Sequence, residues 1–535
     1  MKRVIAIILV ALMTMSVLSA CGNTENNEKK DAHITTILAS EPSTLDMARF
    51  LGINDRTVLF SVTEPLTRIQ DGVVSEAGAE KVDVSDDGLT YTFTIRENYW
   101  SDGQRVTAND YLVGLQREAD PKNAFSFATD FFSIENFEAA FNGEVGIEEI
   151  GVSAPDDNTL VIKLASANPA LLSSVDFFPV RSDMVEQYGD KYGSEAETIL
   201  SCGPFTLDSW VHESSMEFSK NDKYWDKDNV KLDGFTYSII TDEGAQMSSL
   251  ENGSIDYATV DSQEYADKFA QNTDLQEITI STGRTAMVSF NCEDEVFSNQ
   301  KIRTAFAVSI DRDTLVEVIT GGIGSAAYAL VPEDGVVGDM NFRETVNSLP
   351  SKTLEEQNPD AKALLIEGMK EANLGDDPST LTVKLSYGGA DATSRTYAEL
   401  YQQMWQTALG VKVEIDFNET ATHLANVKDG NYQIATVSWG STPEPSFQLS
   451  RFATPTGGQP RWINKEYVGL VNDGMAEMED NKRLEDYKAA EELLISEAAI
   501  APCYYTANCT YAYKYVGGIP TGAFDTTAMK TLYIQ

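Results

Sequence analysis

The chain has 535 residues, 42% hydrophobic and 23% charged, with 40 Lys and Arg against 83 Asp and Glu. That length exceeds a single core and predicts two or three domains, and 10% aromatics describe a globular chain. A formal net charge of −43 argues against non-specific nucleic-acid binding and against adhesion to anionic headgroups. Acidic excess by itself implies no cationic ligand, because its commonest effect is solubility.

Lys2 and Arg3 precede an apolar run from Val4 to Leu18, followed by Ser19, Ala20 and Cys21. A basic start, a short apolar run and small residues before a break give residues 1–20 the form of a secretory signal. The run is shorter than the ~20 residues that span a bilayer. Leu18-Ser19-Ala20-Cys21 resembles the lipobox of bacterial lipoproteins. That resemblance implies lipidation of Cys21 and an extracytoplasmic chain anchored to the bacterial cell membrane. Residues 21–31 then read as a polar tether. Cys202, Cys292, Cys503 and Cys509 remain and allow three pairings if all are oxidised. Export permits disulfides without requiring them, so the pairing stays open.

Along the chain, Leu89, Tyr91, Phe93 and Ile95 alternate with threonines, which predicts a strand with one buried face. Thr107 with Asp110 predicts a helix start leading into Tyr111, Leu112 and Leu115. Ile150 to Leu164, broken by Asp156-Asp157-Asn158, reads as a hairpin. Phe235 to Ile239, a helix with Met247 and Leu250, and Ile255 to Val260 read as a β-α-β unit. Thr382 to Leu385, a helix with Tyr397 to Leu409 stopped by Gly410, and Val411 to Phe417 read as a second. Two such units predict two α/β lobes, each with its own sheet. Between them, Ile302 to Ser309 and Thr314 to Ile319 read as helices, the second capped by Asp311.

Catalysis finds no foothold. His33, His212 and His423 are far apart, and His212-Glu213 lacks the second histidine of a zinc-protease helix. Neither a Gly-x-Ser-x-Gly elbow nor a P-loop occurs. Asp83-x-Ser85-x-Asp87-Gly88 mimics a calcium loop, but its twelfth position is Thr94 and a strand follows. The expectation is a protein that is not an enzyme, with no metal and no cofactor.

Tyr91-Thr-Phe-Thr-Ile-Arg-Glu-Asn-Tyr-Trp-Ser-Asp-Gly103 and Val106-Thr-Ala-Asn-Asp110 resemble the signature of family 5 extracellular solute-binding proteins. Cys202-Gly-Pro-Phe205, Trp210 and Asn221-Asp-Lys-Tyr-Trp225 are similar to the family's middle motifs. Glu41-Pro-Ser-Thr-Leu-Asp46 fits its N-terminal loop, and Ile302-Arg-Thr-Ala-Phe306 with Asp311-Arg-Asp313 its helical pair. Trp439-Gly-Ser-Thr-Pro-Glu-Pro445 and Ala501-Pro-Cys-Tyr-Tyr505 fit its late motifs. Trp100 and Trp225 read as core residues in these motifs, and Gly103 and Gly203 as turn formers.

The resemblance implies a bilobed α/β fold of the periplasmic-binding-protein type II class, cluster C, with mixed sheets. Lobe one would comprise 32–63, 181–286 and 498–535, lobe two 287–497, and an inserted α+β subdomain 64–180. The first hinge crossing would lie near Phe290-Asn291. It also implies a monomer that captures short peptides by hinge closure and delivers them to the permease and ATPase of an ABC importer. The alternative is a non-peptide solute, such as a sugar or a metal chelate, on the same scaffold. The site implied is Ser438, Trp439, Gly440, Ser441 and Thr442, facing Glu41 and Ser43, with Phe131, Phe132 and Tyr505 as further candidates.

One departure stands out. Oligopeptide binders of this family read Trp-x-Ala-Asp-Tyr, and that Asp pairs with the peptide's α-amine, whereas Thr442 occupies the position here. Thr442 cannot neutralise an ammonium. Either Glu444 or Glu41 supplies the carboxylate, or no free amine is buried. The second is the expectation, because Pro443 and Pro445 restrict the loop.

Overall fold

A computed structural model describes residues 32–70 and 72–535. The signal segment, Cys21 and the tether lie outside the described residues. No helix among the described residues is long and apolar enough to cross a membrane.

Three larger sheets organise the chain. The first runs His33–Leu38, Gly234–Ile239, Ser215–Lys220, Phe205–Val211, parallel in its first pair and antiparallel thereafter. Its buried face is aromatic, with Phe218 stacked on Phe235 at 4.2 Å between ring centres. The second is antiparallel: Ala79–Val84, Thr90–Ile95, Thr159–Lys163, Val152–Asp156. Tyr91, Phe93 and Ile95 all point to its core, as their alternation requires. Beside it lies the helix Ala108–Ala119. The Asp110 carboxylate accepts from the Thr107 backbone N–H at 2.8 Å, closing the capping box.

The third sheet orders Tyr257–Val260, Ile500–Tyr513, Leu275–Phe290, Ile434–Gly440, Thr382–Gly388, Lys412–Asn418, with Ser325–Ala326 beside the 500–513 strand. Leu275–Phe290 has 16 residues, about 50 Å of extended chain. Its first half, Leu275 to Ser281, pairs with Tyr513 to Ala507. Its second half pairs with Thr506 to Ile500 on one side and Gly440 to Ile434 on the other. Between the halves the register breaks, leaving Thr282 and Gly283 without ladder partners on the 500–513 strand. Gly283 has φ +61°, which costs a glycine little. Two long strands thus run through two lobes, with the antiparallel sheet as an insertion. The architecture is bilobed, with mixed sheets.

The second β-α-β unit is present: Thr382–Gly388 and Lys412–Asn418 are parallel neighbours joined by the helix Ala392–Leu409, which stops at Gly410 (φ +80°). The first is not one unit. Gly234–Ile239 and Tyr257–Val260 belong to different sheets, because His33–Leu38 stands between them. Its Thr35 carbonyl accepts from the Asp256 N–H at 2.7 Å. A strand more than 200 residues upstream leaves no local periodic trace at Phe235–Val260. At the expected crossing, Phe290 ends the long strand opposite Ile434. Gln300–Val308 and Arg312–Ile319 are consecutive helices, with Asp311 accepting from the Thr314 N–H. Cys202, Cys292, Cys503 and Cys509 are all free thiols.

Candidate functional site

A cleft of about 530 Å³ lies where several distant segments meet. One wall comes from the start of the helix Ile53–Val62, the end of Ala108–Ala119 and the following aromatic loop. Ser441, Thr442, Pro443 and Phe447 form the facing wall, and Ala523 to Thr526 close one side. The size and largely apolar lining suit a small organic ligand rather than a single ion.

The aromatic wall is a packed cluster. Phe50 stacks on Phe127 at 5.0 Å and meets Phe125 edge-on at 5.5 Å. Phe131 sits behind, stacked on Phe137 at 5.3 Å. Among these rings stand Arg56, Glu118, Asp130, Asp176 and Asp525. Arg56 donates to Asp176 at 2.5 Å and lies over the Phe60 ring. Asp525 accepts from the Thr527 N–H at 2.7 Å. Glu118 differs: it is 2% exposed, and its Oε2 has no hydrogen-bond partner among the described residues. Burial pushes its carboxyl well up, helped by Asp176 and Asp46 and opposed by Arg117. Partial desolvation also raises Asp130, with Arg56 opposing.

The facing wall follows the strand Ile434–Gly440. One edge pairs with Leu275–Phe290 along its length. The other edge meets Thr382–Gly388 only at Ile434 and Ala435. No strand among the described residues pairs with Thr436 to Gly440 on that side. His423 covers the Thr436 carbonyl, and Arg284 donates to the Ser438 carbonyl at 2.9 Å. Trp439 donates from Nε1 to Gln459 at 3.0 Å, while the Arg451 guanidinium lies 4.8 Å from its ring centre and 4.6 Å from that of Phe447. Arg451 Nε is buried without a partner among the described residues, and burial together with Arg284 lowers its proton affinity.

Of the residues singled out from the sequence, Phe131, Ser441 and Thr442 line the cleft, and Ser438, Trp439 and Gly440 form the strand that leads into it. The Thr442 hydroxyl donates to the Glu444 carbonyl at 3.1 Å. Five others are engaged elsewhere. Glu41 accepts from Trp210 Nε1 at 2.8 Å and pairs with His212 at 2.6 Å. The Ser43 hydroxyl donates to Asp55 at 2.9 Å, and Tyr505 donates to the Ala329 carbonyl at 2.9 Å. Phe132 packs on Phe141. Glu444 is buried against Arg483.

Phe50, Phe125, Phe127, Arg56, Glu118 and Arg451 escaped the sequence reading. Only the density of phenylalanines between 125 and 132 signals this wall, because a Phe run reads equally well as core.

The comparisons agree with this geometry. The family model described as bacterial extracellular solute-binding proteins, family 5 Middle, matches residues 74–460. The oligopeptide-binding protein OppA of Bacillus subtilis is 31% identical over 524 residues, 94% of each chain. The unliganded open form of MppA, a periplasmic murein tripeptide binding protein, superposes with a TM-score of 0.81 at 25% identity. It covers 94% of this chain and 98% of its own. Listeria monocytogenes OppA bound to peptide gives 0.65 at 27% identity, over 95% and 99% of the two chains. With its two long shared strands, its inserted sheet and a cleft between facing walls, the chain belongs to the bacterial extracellular solute-binding proteins of family 5, a transport-binding rather than an enzyme family.

Proposed function

We propose that this protein captures short peptides in the cleft, closes over them, and delivers them to an ABC-type importer. We also propose that Cys21 carries the lipid that holds it at the outer face of the cell membrane. The observation that carries the peptide reading is the edge from Thr436 to Gly440, which no strand among the described residues pairs and whose Thr436 and Ser438 carbonyls are met only by the His423 and Arg284 side chains, opening beside Ser441 and Thr442 in the cleft. A peptide backbone adds to such an edge as an extra strand, through main-chain bonds that ignore side-chain identity. The aromatic wall supplies apolar contact for whatever side chains point across. The register break at Thr282-Gly283, in a strand shared by both lobes, is the place for the bend. The better match to an open, unliganded form supports a resting state that awaits its ligand.

The test is a thermal-shift screen of peptide libraries, sugars and metal chelates, with mass spectrometry of whatever co-purifies. A ligand at 100 times its Kd stabilises the fold by about 2.7 kcal/mol. Shifts confined to sugars or chelates would establish a non-peptide solute instead. For the anchor, Cys21→Ala should release the chain from membranes or leave its signal uncleaved; continued membrane retention with normal processing would refute lipidation.

A further inference from the structure

The cleft's charge is one-sided in a way that the peptide reading does not by itself explain. Four carboxyls, Glu118, Asp130, Asp176 and Asp525, line it beside a single guanidinium, Arg56. Asp176 is satisfied by Arg56, and Asp525 accepts from the Thr527 N–H and hydroxyl. Glu118 stands apart. It lies in the last turn of Ala108–Ala119 and lines the cleft while almost wholly buried, and its Oε2 lacks a partner among the described residues. The neighbouring cation does not serve it, because the Arg117 guanidinium donates to Asp46 at 2.5 Å. A buried, unbonded carboxyl costs stability, and a native fold keeps one where something else completes it.

Across the cleft, the usual counter-charge is missing. Thr442 is neutral, and the carboxyls of Glu444 and Glu41 are held by Arg483 and by Trp210 with His212. A ligand ammonium placed against that loop would meet no free carboxylate. The same ammonium turned towards the opposite wall would meet Glu118 and Asp130, among rings whose faces attract cations.

We propose that the cation-recognition end of this site lies on the aromatic wall. Glu118, supported by Asp130, receives an ammonium of the bound ligand, either a lysine side chain or a free α-amine. The assignment rests on the peptide reading above and says which wall takes the positive charge. It has a further signature. Burial, with Asp176 and Asp46 adding to it and Arg117 opposing, raises the proton affinity of the Glu118 carboxyl, and Arg56 and Asp130 stand further along the cleft. Binding an ammonium there stabilises the carboxylate, so a proton leaves Glu118 for solvent as the ion pair forms.

The experiment uses the mature chain and tetrapeptide libraries rich in lysine, in four forms: free, N-acetylated, with norleucine for lysine, and with both changes. Calorimetry is run in two buffers of different ionisation enthalpy, on wild type, Glu118→Gln and Asp130→Asn. Melting temperatures confirm that each variant folds. Wild type should prefer a cationic form by about tenfold or more and release protons on binding it. Glu118→Gln should abolish the proton release and most of the preference, Asp130→Asn should weaken the preference, and the doubly neutral library should bind all three alike. Whether acetylation or norleucine removes the preference identifies the source of the ammonium. Equal binding of all four forms by wild type overturns the assignment alone. So does a preference that survives Glu118→Gln and disappears in Glu444→Gln or Glu41→Gln. If no library binds, the peptide reading falls, and this assignment with it.

Discussion

Nε of Arg483 donates to Oε1 of Glu444 at 2.9 Å, and each side chain is 3% exposed. The carboxylate nearest to Thr442 in sequence is thus committed inside its own lobe. Burial pushes Glu444 up to about 7, with Arg483 pulling the other way. A carboxyl raised above its ordinary 4.5 contributes its full stability below that value and loses the contribution as pH rises through about 7. Relative to Glu444→Gln, which does not titrate, wild type should lose stability between those values in urea titrations. Ligand affinity in the variant should change by less than about twofold, since the side chain faces Arg483 rather than the cleft.

Glu41 has a similar occupation at the surface. Its hydrogen bond to His212 raises that imidazole above 6.5, with Glu195 adding to the effect and partial burial opposing it. A histidine raised on folding contributes fully below its unfolded value and loses the contribution as pH rises through the higher folded one. Glu41→Gln should bring the His212 titration back towards its ordinary range, as read by NMR. The peptide-binding isotherm should not move, and a large loss of affinity would place Glu41 in the site after all.

Glu64 and Arg68 form an ion pair that is almost wholly enclosed. Arg68 donates to Glu64 at 2.6 and 2.9 Å, and the other Glu64 oxygen accepts from Tyr224 and Trp225 at 2.9 Å each. Glu64→Ala strands a buried guanidinium and two donors, so it should cost about 3–5 kcal/mol in denaturant unfolding. Arg68 also donates to the Thr526 and Phe60 carbonyls, and both residues line the cleft. The same variant should therefore loosen the cleft wall and raise hydrogen exchange near Thr526.

Gly283 tests the register break. A Cβ there would meet Phe524 Cζ at 2.5 Å, with φ at +61°. Gly283→Ala should cost about 1–2 kcal/mol from the backbone conformation, plus whatever Phe524 must give. If the chain bends here, the ligand-induced fall in radius of gyration should shrink as well. An unchanged fall would move the bend elsewhere along the two strands.

The alternation at Tyr91, Phe93 and Ile95, the Thr107–Asp110 box and the Gly410 stop were legible because each depends on residues a few positions apart. The stretch from Ser438 to Thr442 was singled out through the motif around Trp439, but the strand Ile434–Gly440 that carries its first part was not read from the sequence. The sheet order was not legible, because His33–Leu38 enters between strands more than 200 residues away. Nor was the fate of the carboxylates. Eighty-three acids have the same chemistry on paper, and only packing decided that Glu444 meets Arg483, that Glu41 meets His212 and that Glu118 is left facing a cleft. Local structure follows from short-range backbone preference, which a sequence displays directly. A site assembled from residues 50 to 526 depends on which surfaces exclude water from one another, and that is settled only when the chain has folded.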